Sequence, residues 1–74
     1  MIAIIKTVNP VTLNFAEAVL KEAGIQSFVM DQHVSIIEGS IGAIPRRLMV
    51  INDDYDAAVR ALELAELGDE VFRG

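Results

Sequence analysis

The dipeptide Asn9-Pro10 separates two segments that cannot belong to one element. Before it, "IAIIKTV" is a short isoleucine-rich run of strand-forming residues. Proline carries no amide hydrogen and disfavours continued pairing, so that strand ends here. After it the pattern changes. Asn9 is a helix cap with Pro10 at the first helical position, and Leu13, Ala16, Val19, Leu20 and Ala23 recur at helical spacing on one face. Gly24 supplies the stop. Asn14, Glu17, Lys21 and Glu22 occupy the opposite face, which is expected to meet water.

The same punctuation continues. "IQSFVM" reads as a second strand and "RRLMVIN" as a third, closing in the turn and cap signals Asn52-Asp53-Asp54. Tyr55, Ala58, Val59, Leu62 and Ala65 form the buried stripe of a second helix, with acids in its first turn and Gly68 as its stop. "DEVFRG" remains as a short tail, residues 68–74 taken with Gly68. The order predicts a single small α+β domain over residues 1–74: a ferredoxin-like split βαβ sandwich, βαββα with a short C-terminal strand, whose antiparallel sheet has two helices on one face. The third strand is expected between the first two, with Val71-Phe72 covering the free edge of the first.

Alternation assigns Ile2 and Ile4 to one side of the first strand and Ala3 and Ile5 to the other. Leu48 and Val50 alternate likewise with Met49 and Ile51. Both sheet faces therefore look apolar, yet the helices cover one, so a homo-oligomer is expected, a dimer being the simplest.

Composition sharpens this. A chain of 74 residues buries only about 60% of its unfolded surface, so its core must be economical, yet 53% of its residues are apolar. That content excludes disorder and again favours association. Cysteine is absent, which removes disulfides, thiolate nucleophiles and cysteine zinc sites. The formal charge of −5 argues against nucleic acid as a partner. The amino-terminal apolar run is too short for a signal-peptide core or a membrane span, so a cytoplasmic protein without membrane attachment is expected.

Residues 31–47, "DQHVSIIEGSIGAIPRR", form a connection far longer than an ordinary hairpin loop; loops of that length are usually functional or disordered, and this one is too apolar for a solvated linker. Three readings fit it. Gly39 and Gly42 bracket a stretch whose amides can converge on an anion, with Arg46 and Arg47 following, so a small anionic ligand or nucleotide is one candidate. Val34, Ile36, Ile37, Ile41 and Ile44 suit a protein partner. Asp31, His33 and Glu38 are weak metal candidates, because their spacing is unspecific and a lone histidine is far more often structural or solvent-facing. The plain reading competes with all three: glycines for turns, Pro45 to end the loop, arginines to keep an edge strand soluble. No nucleophile elbow or phosphate-loop lysine motif is present, so neither catalysis nor a cofactor is expected.

The combination of "NP" opening the first helix, "AEAVLKEAGI" through it, "DQHVSIIEGSIGAIPRRLMV", and an acidic second helix closing in "ELGDE" resembles the "putative prokaryotic signal-transducing protein" family. The resemblance spans nearly the whole chain. It implies a ferredoxin-like, PII-like domain with a regulatory or binding role in bacteria, and no catalytic residues to carry over. Two functions follow as expectations: a non-catalytic regulatory module acting through the 31–47 loop, or a structural self-association domain without a ligand.

Overall fold

The computed structural model describes residues 1–31 and 45–72. Strand β1 (Ile2–Thr7) leads into helix α1 (Pro10–Glu22), followed by β2 (Phe28–Asp31), β3 (Arg46–Val50) and helix α2 (Tyr55–Leu64). Single 3-10 turns at Asn52–Asp54 and Gly68–Glu70 flank α2. The sheet order is β1-β3-β2, with β3 antiparallel to both neighbours, as the split βαβ pattern requires. Val71 forms an antiparallel bridge with Ile5, and the Phe72 amide donates to the Ile4 carbonyl at 2.7 Å. The tail thus lies along the outer side of β1, where the sequence reading put it.

One core holds the layers together. Ile4 and Ile5 of β1, Leu48 and Val50 of β3, Leu13, Ala16 and Leu20 of α1, Ala58 and Leu62 of α2, and Val71 of the tail are all buried. Leu48 and Val50 therefore define the helix-covered face, and Met49 the opposite one, open in that no helix or strand among the described residues covers it. The expected alternation fails in β1. Ala3 stands opposite Met49 and Ile5 opposite Leu48, so Ile4 is an extra residue, a β-bulge. The bulge lets two consecutive isoleucines bury fully, where strict alternation would have sent one of them to the open face.

Both helices end in the same way. At α1 the Gly24 amide donates to the Lys21 carbonyl and the Ile25 amide to that of Leu20, with Gly24 left-handed at φ 78°. This is a Schellman cap, and Ile25 packs against the core behind it. The second strand consequently starts at Phe28 rather than Ile25, and Ala23 is exposed as the cap residue rather than part of the buried stripe. At α2 the Glu66 amide donates to Glu63 and the Leu67 amide to Leu62, with Glu66 at φ 65°. The stop is therefore Glu66, not Gly68 as the sequence suggested; Gly68 begins the following 3-10 turn.

A non-glycine residue in the left-handed region is strained by roughly 1 kcal/mol or more. Glu66→Gly is expected to raise stability by about 1 kcal/mol, read as an increased urea midpoint at constant slope. An unchanged or lowered midpoint would mean that the Glu66 side chain contributes as much as its backbone costs. The helix starts differ too. Asn9 caps α1 as expected, its Oδ1 accepting from the Val11 amide at 2.9 Å, while no side chain caps α2, which is entered through the 3-10 turn at Asn52–Asp54.

Candidate functional site

The open face of the sheet is assembled by register. Residues directly opposite one another on antiparallel strands share a face. Ala3 and Phe28 both stand opposite Met49, and Lys6 and Met30 both stand opposite Arg47. Phe72, the tail residue after the Val71 bridge, joins them, since the Lys6 ammonium lies 5.8 Å from its ring centroid. That separation is within the range of a cation–π contact. Met30 is 44% exposed and Phe72 36%, while Phe28, Arg47 and Met49 are half-buried.

The bulge decides the chemistry of this face. Without the extra residue at Ile4, Lys6 would fall on the side of Ile4 and the helices; with it, Lys6 turns outward beside Arg47. Two basic residues thus occupy paired positions on neighbouring strands, with the Lys6 ammonium set over the Phe72 ring on the outer side of β1. Among the described residues none of the open-face register positions carries an acid. Arg47 Nε is moreover buried and has no hydrogen-bond partner among the described residues. A buried donor without a partner costs on the order of 1–3 kcal/mol. The face gathers two basic residues with an aromatic ring and methionine thioethers around them.

The sequence-derived candidates divide as follows. Arg46 and Arg47 are neighbours on β3, so their side chains go to opposite faces, and only Arg47 belongs to the open one. Asp31 ends β2 at the register position opposite Arg46. Gly39 and Gly42, the partner-contact candidates Val34, Ile36, Ile37, Ile41 and Ile44, and the metal candidates His33 and Glu38 lie outside the described residues. Among the described residues no three histidine, cysteine or acidic side chains gather as a metal-binding group. No helix among them is long and apolar enough to cross a membrane.

Sequence reasoning did not single out Lys6, Phe28, Met30 or Phe72 for this face. A signal existed for Lys6. A lysine immediately after two isoleucines that both need burial is compatible with one covered face only if the strand carries a bulge.

On the helix side lies a depression of about 370 Å³ lined by Glu17, Ala18, Lys21, Ile25, Gln26 and Ser27. It sits beside the segment leading into β2 and is separate from the open face.

A three-stranded antiparallel sheet under two helices, with a tail bridge as a fourth strand position, defines a small α+β domain of ferredoxin-like arrangement. The chain belongs to the family described as "putative prokaryotic signal transducing protein", whose profile matches residues 1–66. No curated protein matches the chain.

Proposed function

We propose that this chain is a non-catalytic regulatory binding module of bacterial signalling, cytoplasmic in setting, that recognises a small anionic ligand on the open face of its sheet. The observation that carries the reading is the juxtaposition of Lys6 and Arg47 on adjacent strands, bordered by Phe28, Met30, Met49 and Phe72. An anion on this face would give a charged partner to the Lys6 ammonium and to the Arg47 guanidinium, two basic groups at paired register positions. The aromatic and thioether surroundings suit a ligand with a planar or apolar body, such as a nucleotide.

The net charge of −5 does not oppose this. Screening at physiological salt reaches about 8 Å, so the acids of the helix layer act weakly on an ion held on the opposite side of the sheet. The local pair decides. Membership of a signal-transduction family supports a binding role over a purely structural one. Of the 31–47 segment, this reading uses Arg47, its last residue.

The test is thermal denaturation with inorganic phosphate and with adenosine monophosphate as probes. A ligand at about 100 times its dissociation constant stabilises the native state by roughly 2.7 kcal/mol. Lys6→Glu and Arg47→Glu are each expected to weaken binding by roughly tenfold or more. Arg46→Ala, on the other face, is expected to leave it unchanged. Stabilisation by neither probe, or equal losses from Arg46→Ala and Arg47→Glu, would remove the open face from consideration.

A further inference from the structure

The two edges of the sheet are not equivalent. The outer edge of β1 is occupied by Val71 and Phe72. The outer edge of β2 pairs with no strand among the described residues, and Phe28–Asp31 contains neither proline nor lysine, the residues that usually blunt such an edge. Val29 and Met30 are exposed there. Asp31 puts one charge at the end of this short edge, and the exposed Val29 and Met30 before it leave an apolar stretch that can template another strand.

We infer that the occupant is a second copy of this chain, whose β2 pairs antiparallel with β2 about a two-fold axis through Val29. Three observations favour this register and partner. With Val29 opposite its own copy, Phe28 stands opposite the copy's Met30 on the open face, a sulfur–aromatic pairing, and this happens twice by symmetry. Asp31 then stands opposite the copy's Ser27, so the two acids at the strand ends are kept apart. Moving the axis to Met30 would instead set Asp31 opposite Val29. Beside the same edge, Glu17 and Lys21 rim the concavity next to Ser27, one helical turn apart and of opposite sign. A patch of alternating sign is complementary to itself under a two-fold axis, whereas a partner of one charge would be half repelled. The outcome is one continuous sheet carrying two open faces side by side.

A strand pair this short, with the helix margin beside it, is at the low end of interface size, so exchange at micromolar concentrations is expected. The inference stands on the sheet edge and is independent of what the open face binds. Because the chain has no cysteine, a single introduced thiol reports on the axis. Opposed residues of an antiparallel pair have Cα atoms about 4.5–5.5 Å apart, inside the span a disulfide bridges.

Val29→Cys is expected to cross-link to its own copy under mild oxidation about tenfold faster than Met30→Cys or the exposed helix control Glu22→Cys, and to lose that advantage in denaturant. Wild-type sedimentation should shift toward the dimer mass as concentration rises to about 100 µM. Val29→Lys should remain monomeric with unaltered circular dichroism. A wild type that stays monomeric throughout overturns the inference, as does cross-linking of Val29→Cys no faster than the controls. It also fails if Val29→Lys still dimerises while Met49→Glu does not, because that result would place the contact on the open face.

Discussion

Leu48→Ala is expected to cost about 3–4 kcal/mol, a large share of the stability of a domain this small. Leu48 lies on the central strand, is fully buried, and stands opposite Ile5 on one side and Val29 on the other. It is the point where strand pairing and helix packing meet, since its face of the sheet lies under α1 and α2. Truncating a buried leucine removes its transfer free energy and leaves a cavity that the two flanking strands cannot close without breaking register. A domain of 74 residues has a total stability of roughly 4–11 kcal/mol, so this one side chain is a large share of it. Met49→Ala, one residue along but on the open face, should cost about 1 kcal/mol or less because Met49 is only half-buried. Urea unfolding of the two variants measures the difference. Equal losses would mean that both faces are covered and that the open face does not exist as such.

The contrast between Leu48 and Met49 was readable in the sequence only as an ambiguity. Alternation separated the two residues, and both are apolar, so nothing local said which faced the helices. The helices settle it. Their stripes were legible because polar residues interrupt them at helical spacing: Leu13, Ala16 and Leu20 are buried as read, and so are Ala58 and Leu62. The central place of β3 was legible for a topological reason, since the split βαβ order leaves that position for the third strand.

What escaped the sequence reading has physical causes. Ile2 to Ile5 is uninterruptedly apolar, so period-two alternation carries no register information there, and a bulge that rotates half the strand is invisible until a neighbouring charge is weighed. Lys6 was that charge, and its turn to the open face is what creates the cation pair with Arg47. The end of α2 was missed for another reason. Glutamate is not a residue expected in the left-handed region, and Gly68, two positions on, drew the assignment to itself. The 31–47 segment was singled out for its composition. Of its residues that are described, Arg46 and Arg47 begin β3, and Arg47 stands at the register position opposite Lys6 of β1.

Removing residues 70–74 is expected to destabilise the domain by about 2–4 kcal/mol and to change how it associates. Chain ends usually fray, but this one is fastened at three points. Val71 is buried against the core, worth roughly 1.5–3 kcal/mol for a side chain of its kind. The Phe72 amide donates to the Ile4 carbonyl at 2.7 Å, a net contribution of about 1 kcal/mol, and the Phe72 ring lies beneath the Lys6 ammonium. The bond to Ile4 falls at the bulge, where β1 departs from regular pairing with β3. Without the tail, Ile4 and Ile5 lose a neighbour on the outer side and the backbone of β1 becomes an open edge, as that of β2 is among the described residues. If the intact chain pairs through β2 as inferred above, freeing the β1 edge as well lets copies add at both sides, so the truncated protein should form higher oligomers or precipitate. Phe72→Ala separates the contributions: it keeps the backbone bond and Val71, and should cost about 1 kcal/mol or less without altering association. Hydrogen exchange on the intact chain gives the direct readout. Protection of the Phe72 amide comparable to that of β1 is expected, and exchange at the rate of an unfolded peptide would show that the tail is not fastened.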